Sequence, residues 1–351
     1  MVEYKGNFKI TINELRINIP ILLRFAPRRG GGKSGLDGYS FIIRGVAQLA
    51  SAFAWGAKGC SFKSSHPDKI MDDKTKISII GASSYVGARL YFDLKSKFIV
   101  VGTYSSNQLS KNFIYLDITN KKEVEKVIND IRPNVIIHVA NNASAKWCDT
   151  YPEKAVLLNQ TATQYIADSA NKVNAKLIYI STMGAVKPSN LYGKTKSKSE
   201  KIIKTSKYGY LILRPSLILG YSPNTTNDRP FNRLLKNLDE GVSAVYDTSW
   251  KFQPTYIRHM SEVITACINN KIFNRSIVIA VTEMKSRYDT ARDILTPFGI
   301  KVTPVDAKDS TFEVFKDDLS ELKQLHLPKY SYRQMIKEII DEIRNRNQFV
   351  V

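Results

Sequence analysis

From residue 76 onward the apolar residues gather in short continuous runs, separated by longer stretches with helical spacing. Ile77, Ser78, Ile79 and Ile80 form the first run, which stops at Gly81. Further runs cover residues 98–102, 113–116, 135–139, 177–180 and 210–213. After the first run a helix is predicted to about residue 95. Thr119 and Asn120 open a second, with Val124, Val127, Ile128 and Ile131 on one face. A long helix is predicted at about 153–173, and an amphipathic one at about 332–345. Strands that are continuous rather than alternating are buried on both faces, and strands separated by helices pair in parallel. The predicted fold class is therefore α/β, a doubly wound parallel sheet. Such sheets bind ligands at the carboxyl ends of their strands.

Residues 1–70 read differently. They carry Arg28-Arg29-Gly30-Gly31-Gly32-Lys33-Ser34-Gly35 and an Ala/Gly/Ser-rich stretch at 45–59. Gly32-Lys33-Ser34 is no phosphate loop, because the glycine required five positions earlier is Pro27. The stretch at 45–57 lies too far from the N-terminus for a signal peptide and is too short for a membrane span. Arg44-Gly45-Val46-Ala47-Gln48-Leu49-Ala50-Ser51, followed by Phe62-Lys63-Ser64-Ser65-His66-Pro67-Asp68, resembles the conceptual translation of a bacterial tRNA gene. The expectation is a disordered or non-native extension over 1–70, with Met71 as the natural start. A nucleotide-binding domain over 71–220 and a substrate-binding region over 221–351 would follow.

Composition narrows the function. Apolar residues are 43% and charged residues 24%, ordinary for a globular chain. The formal charge is +20. Outside 1–70 there remain 41 Lys plus Arg against 28 Asp plus Glu, an excess of 13. This excess is mostly lysine spread along the chain, and no nucleic-acid module is visible, so no nucleic-acid partner is expected. No apolar run reaches the roughly 18 residues of a membrane span. Cys60, Cys148 and Cys267, like His66, His138, His259 and His326, stand isolated. That spacing predicts no metal site and a reducing, cytoplasmic setting.

Gly81-Ala82-Ser83-Ser84-Tyr85-Val86-Gly87 lies between the first strand and first helix. Gly81 permits a sharp turn, Gly87 permits close packing of helix on strand, and free N–H groups at the helix start suit a pyrophosphate. Ser84 takes the middle place usually held by glycine. The second strand ends Gly102-Thr103-Tyr104-Ser105-Ser106, without the acidic residue that would bind the ribose hydroxyls of NAD. Hydroxyls here, with Arg89 nearby, suit a 2′-phosphate, so NADP(H) is preferred and NAD(H) left open. Asp117, with Ile118 beside it, ends the third strand where adenine would lie.

Two Tyr-x-x-x-Lys pairs occur, Tyr91/Lys95 and Tyr192/Lys196, about as many as chance supplies among 18 tyrosines. The first falls mid-helix, away from the strand ends. The second opens a helix after the fifth strand, which ends Ile180-Ser181-Thr182. Helical spacing sets Lys196 beneath Tyr192. A free tyrosine titrates near 10, and a neighbouring ammonium lowers that value. Tyr192 would pass its proton to a carbonyl oxygen that Thr182 holds.

Together these motifs resemble the extended short-chain dehydrogenase/reductases, and among them the dTDP-4-dehydrorhamnose reductase, or sugar-nucleotide-binding, family. The likeness covers about residues 76–268. It includes 81–87, 101–105, 116–119, Arg132-Pro133-Asn134 leading into 135–140, Asn159, 179–182, Tyr192-Gly193-Lys194-Thr195-Lys196, Leu213-Arg214-Pro215-Ser216 and Gln253-Pro254-Thr255-Tyr256. The resemblance implies a Rossmann-type domain with a small substrate region. It implies a catalytic set of Thr182, Tyr192 and Lys196, nicotinamide-ribose contacts at Ala140, Asn141 and Asn142, scaffold support from Asn159, and Pro215 beside the nicotinamide. It implies a reductase of a carbonyl on a sugar nucleotide; a homodimer is left open. Two departures stand out: Met183 replaces the aspartate of those reductases, and only nine residues link Thr182 to Tyr192. They keep open an alternative, a non-catalytic NADP-binding regulatory or scaffold subunit. Arg229, Arg233 and Arg258 are candidate diphosphate contacts by charge and position.

Overall fold

The structure is a computed structural model. It describes residues 74–309 and 316–351, and the backbone of three strands before them. The chain forms two units, Met1–Met71 and Asp72–Val351. In the first, β1 (Val2–Ile12) pairs antiparallel with β2 (Leu15–Pro27), and β2 with β3 (Tyr39–Phe41). The glycine-rich run at 28–35 and the segment at 44–68 lie outside the described residues.

The second unit is built on seven parallel strands. They are β4 (Lys76–Ile80), β5 (Ile99–Tyr104), β6 (Ile114–Tyr115), β7 (Val135–His138), β8 (Lys176–Ile180), β9 (Tyr210–Pro215) and, further along the chain, Arg275–Ile279. The sheet order runs from the Arg275–Ile279 strand through β9, β8, β7, β4 and β5 to β6. The order reverses between β4 and β7, which opens the ligand crevice there. The six predicted strands are all present. The seventh is one more than the pattern foresaw.

Both faces of the sheet are covered, as the continuous apolar runs require. Ile77, Ile79, Ile137 and Ile178 point into one layer. There they pack with Leu90 and Leu94 of α1 (Tyr85–Leu94) and with Met260, Val263 and Ile264 of a later helix, Ile257–Asn269. Ile80, Ile136, Leu177 and Tyr179 point the other way, onto Val124 and Ile128 of α2 (Lys121–Ile131) and onto Ile166 and Ala170. Asn120 caps α2, its side chain accepting from the N–H groups of Lys122 and Glu123. After α3 (Ala145–Thr150), the predicted long helix is α4 (Pro152–Val156), a π-helical turn at Leu157–Thr161, and α5 (Ala162–Lys172). Next comes α6 (Leu191–Ile203).

The C-terminal region forms a third apolar layer. It contains β10 (Ile218–Leu219), α7 (Pro230–Glu240), β11 (Ala244–Asp247), β12 (Lys251–Phe252) and β13 (Thr255–Tyr256). After them come α8 (Ile257–Asn269), β14 (Arg275–Ile279, the seventh sheet strand), β15 (Lys285–Ser286), α9 (Arg287–Leu295), β16 (Val302–Val305), α10 (Ser320–Gln324) and α11 (Tyr332–Arg344). Phe231, Leu234 and Leu235 of α7 meet Tyr332, Met335, Ile339 and Ile343 of α11 and Tyr85 of α1 in this layer. None of the helices among the described residues is long and apolar enough to cross a membrane.

Candidate active site

The loop after β4 is shaped as its glycines require. Gly81 has φ +89, and a Cβ there would stand 2.9 Å from the Ala140 backbone nitrogen. A Cβ on Gly87 would stand 2.1 Å from the Gly81 carbonyl oxygen, so nothing larger fits. Ser84 caps α1 with φ −74 and ψ 165, a conformation any residue adopts. Its hydroxyl is spent within the loop, donating to the Gly81 carbonyl at 2.8 Å and accepting from the Gly87 N–H at 3.0 Å. The N–H groups of Ser83, Tyr85 and Val86 remain without acceptors among the described residues. A helix start with free N–H groups behind a glycine turn fits the pyrophosphate of a dinucleotide.

The flank of this loop departs from expectation. Thr103 is buried behind the loop and its hydroxyl accepts the Gly81 N–H at 3.1 Å. Tyr104 packs edge-on against Tyr115, and Ser105 is exposed. The Asp117 carboxylate accepts from the Thr119 N–H and hydroxyl, with Ile118 buried beside it. Arg89 cannot serve a 2′-phosphate. It is 2% exposed, and its guanidinium is committed to Asp93, to Glu342 at 2.6 Å and to the Tyr221 carbonyl at 2.6 Å. The expectation failed because a charged residue in a helix reads as surface, while its partners come from the far end of the chain.

At the end of β8 the catalytic candidates come together. Asn190 caps α6 by accepting the Gly193 N–H at 2.9 Å, which fixes the helix start and the half-buried Tyr192 upon it. Thr182 follows β8 in extended conformation, and among the described residues its hydroxyl accepts only the Gly184 N–H, at 3.3 Å. The Tyr192 phenol has no hydrogen-bond partner among the described residues. Burial pushes it up to about 12, against an opposing pull from Arg229. Lys196 is fully buried, donating to the Ile180 carbonyl at 2.6 Å and lying 4.0 Å from the centre of the Tyr179 ring. Burial lowers it to about 7, with Glu200 opposing. Glu200, one turn on, accepts from Ser181 at 2.6 Å and from both nitrogens of the Arg214 fork. That pair ties α6 to the ends of β8 and β9.

The π-helical turn aims Asn159 at the loop after β7. Its amide accepts the Asn142 N–H at 2.8 Å and donates to the Asn142 carbonyl at 3.0 Å, while its own backbone carbonyl accepts from Ser199 at 2.7 Å. Such an extra helical residue commonly marks a functional site. Asn141 donates to the Val139 carbonyl, and Ala140 closes on Gly81. Met183 is buried in the main core within a short turn, Met183–Ala185, so the shortened link to Tyr192 is filled by packing. Among the described residues no group of His, Cys, Asp and Glu side chains gathers as metal ligands would.

One cleft of about 310 Å³ joins these parts; Ser84, Tyr85, Val86, Asn141, Thr182, Tyr192 and Pro215 all line it. Its far wall comes from the C-terminal region, with Leu217, Ile218, Arg229, Trp250, Phe252 and Gln253. Of the three candidate arginines only Arg229 lies here. Arg233 pairs with Asp228, and Arg258 with Glu262 and Glu338. Trp250 and Asn224 were not foreseen. Trp250 interrupts a polar turn, the one signal that marked it. Its N–H is held by Asp247, whose carboxylate also accepts from Ser249 and Ala307 and so sits well below the usual range. Asn224 donates to the Ser83 carbonyl at 2.5 Å, and no periodicity announces such a clamp. Gln253 and Thr255 lock their turn through Asp317, Val281 and Ile279.

The sequence profile of the RmlD substrate binding domain matches residues 75–345. The chain belongs to this family. Among relatives, the methionine adenosyltransferase 2 subunit beta of Xenopus tropicalis is 27% identical over 225 residues, 59% of this chain and 67% of that protein. The dTDP-4-dehydrorhamnose reductase of Salmonella typhimurium is 28% identical over 162 residues, 42% of this chain and 53% of that protein. The crystal structure of a dTDP-4-dehydrorhamnose reductase from Bacillus anthracis in complex with NADP superposes with a TM-score of 0.64. It is 22% identical, over 77% of this chain and 99% of that one, a likeness of fold. The family resemblance read from the motifs and the doubly wound fold are thereby established.

Proposed function

We propose that this chain is an NAD(P)H-dependent reductase of a carbonyl group on a sugar nucleotide. The observation that carries the reading is the convergence of two hydroxyls, Thr182 and Tyr192, on one cleft beneath a phosphate loop. Neither has a competing side-chain partner among the described residues. Ser83, Tyr85 and Val86 would hold the pyrophosphate through their N–H groups, with Asn141, Asn142 and Pro215 toward the nicotinamide end. A nicotinamide cofactor supplies the hydride. Thr182 would orient the carbonyl oxygen, and Tyr192 would give it a proton. A phenol held near 12 is fully protonated at neutral pH, as a donor must be. Lys196 holds α6 to the end of β8 and keeps Tyr192 in register. Trp250 and Phe252 offer an aromatic wall to the substrate, and Arg229 a positive charge. The loss of Arg89 from the cofactor edge removes the cation that favoured NADP(H), so the site is open to either dinucleotide.

A second reading is favoured by one finding. Of the two relatives described, the one sharing the longer stretch is named as a subunit of methionine adenosyltransferase. In that reading the chain binds a dinucleotide and regulates a partner without turnover.

The test titrates NADPH and NADH by nicotinamide fluorescence, then follows NADPH consumption across a panel of keto-sugar nucleotides. Consumption that falls by at least about 10²-fold in Tyr192→Phe, with cofactor binding retained, is the expected result. Binding without consumption favours the subunit reading. No binding of either dinucleotide overturns both.

A further inference from the structure

Among the described residues, four side-chain bonds fasten the chain after β10 to the phosphate loop and α1. The Tyr85 hydroxyl donates to the Gly220 carbonyl at 2.5 Å, and Arg89 to the Tyr221 carbonyl at 2.6 Å. The Ser222 hydroxyl donates to the Tyr85 carbonyl at 2.6 Å, and the Asn224 amide to the Ser83 carbonyl at 2.5 Å. The first three serve α1. Of the four, only the Asn224 bond reaches the tip of the loop, between the free N–H groups of Ser83 and Tyr85.

The peptide between Ser83 and Ser84 is thereby held at both ends. Its N–H donates to the Gly81 carbonyl at 3.0 Å, and its carbonyl accepts from Asn224. A planar peptide pinned at both ends cannot swivel, so the N–H groups on either side of it keep their aim. Asn224 is 1% exposed, and both ends of its side-chain amide are used. Its Oδ1 accepts from the N–H groups of Thr226 and Asn227 and from the Thr226 hydroxyl, each at 3.1 Å. That leaves the opposite end of the amide as the donor to Ser83. The Asn224 backbone carbonyl accepts from Asn232 of α7 at 3.1 Å. The turn over 224–232 thus hangs on Asn224, and Arg229, which this turn delivers to the cleft wall, hangs with it.

We propose that Asn224 is a positioning residue shared by the two halves of this site. Its amide fixes the phosphate loop for the dinucleotide, and through the same bond the occupied loop holds the substrate-side turn over 224–232 in place. The inference rests on the dinucleotide-binding part of the reductase reading and not on turnover. Asn224 acts through the Ser83–Ser84 peptide. A bound pyrophosphate takes up the N–H groups beside that peptide and restrains it, so binding tightens the clamp. By linkage, the clamp tightens binding by the same factor. Removing the donor leaves the Ser83 carbonyl without it in a buried turn and frees the peptide to rotate.

The experiment measures NADPH and NADH affinity of the full chain by nicotinamide fluorescence, and amide hydrogen exchange over 81–87 and 222–232 with and without dinucleotide. The variants are Asn224→Ala and Asn224→Asp. The aspartate keeps an acceptor for Thr226 and Asn227 but has no proton for the Ser83 carbonyl; the alanine keeps neither. The two differ in charge and in the turn they leave, and share only the lost donor. The expected result is a dinucleotide Kd raised about tenfold in both. Dinucleotide should slow exchange over both segments in the wild-type chain, and over 81–87 alone in the variants. A merely structural Asn224 would lower the unfolding midpoint and leave the Kd of the folded fraction unmoved. A Kd within about twofold of wild type in both variants overturns the proposal. A loss confined to one variant assigns the effect to charge or to the turn and overturns it as well. So does exchange over 222–232 that ignores bound dinucleotide in the wild-type chain, a result that needs no variant. If neither dinucleotide binds the wild-type chain, the dinucleotide reading falls and takes the proposal with it. Wild-type binding without these changes leaves that reading standing and removes Asn224 alone.

Discussion

Lys196 and His138 occupy the same buried floor and carry opposite lessons about charge. His138 shares a hydrogen bond with Thr163 at 3.1 Å, and burial with the nearby Lys196 holds it down at about 3. The unfolded chain protonates that ring near pH 6.5 and the folded chain does not, so stability falls as pH drops from about 6.5 toward 3. Lys196, lowered to about 7, behaves in the same sense at higher pH. The unfolded lysine keeps its proton to about pH 10.4, so its burial opposes folding fully below 7 and the penalty fades as pH rises toward 10.4. Urea midpoints should therefore climb between pH 7 and 10, and Lys196→Met should flatten that climb. A slope unchanged in the variant would show that the ammonium stays charged in its cage. The convergence of Tyr192 and Thr182 on one cleft was legible because the strand-end hydroxyl set Tyr192 apart from Tyr91. The true company of Lys196, a carbonyl and an aromatic face, was not legible, because both partners come from β8 and the spacing speaks only for α6.

At the scale of elements, the turn from β4 to α1 is the least tolerant. Gly87→Ala would drive a methyl group into a backbone carbonyl that cannot yield, since Gly81 is itself pinned by Thr103 and Ser84. Expected are a loss of dinucleotide binding, read by fluorescence, and a stability cost of about 1–3 kcal/mol or more. Ser84→Ala is the contrast. It removes the cap at about 1 kcal/mol but frees the Gly87 N–H, so dinucleotide affinity should not fall. Weaker binding in Ser84→Ala would mean that the serine hydroxyl faces the phosphates after all. The glycine spacing was readable in the sequence because it answers to local sterics. The inward turn of the Ser84 hydroxyl was not, because serine serves equally well as a cap and as an anion ligand. The helix over 153–173 was predicted whole; its π-helical turn at Asn159 leaves no trace in apolar periodicity, since one added residue shifts the face only locally.

Across the whole molecule the sheet was legible and the closure was not. Six apolar runs announced six strands. β14 arrives after some sixty residues of C-terminal chain and completes the edge beside β9, a return that only topology reveals. The same holds for Glu342. On α11 it accepts from Arg89 and Tyr256 at 2.6 Å each and from the Tyr221 N–H at 3.0 Å, joining the first helix of the unit to its last. Phe349 then lies 5.0 Å from the Arg89 guanidinium. Glu342→Ala leaves that guanidinium with Asp93 as its one carboxylate, beside the Tyr221 carbonyl, and should cost about 3–5 kcal/mol, measured by denaturant unfolding. A cost below about 1 kcal/mol would show that Asp93 and the Tyr221 carbonyl suffice.

Arg89 and Glu342 are 253 residues apart. During synthesis the first helix of the unit emerges with Asp93, but the second carboxylate of its buried arginine follows 253 residues after it. Until then the arginine has only Asp93 as a carboxylate partner, and the layer that α11 closes stays incomplete. A chain cut short before residue 342, by a premature stop or a protease, never acquires that partner. It stays partly open to chaperones and proteases, whereas the finished chain hides the charge. The pair thus makes closure of this layer depend on chain made long after the first helix of the unit.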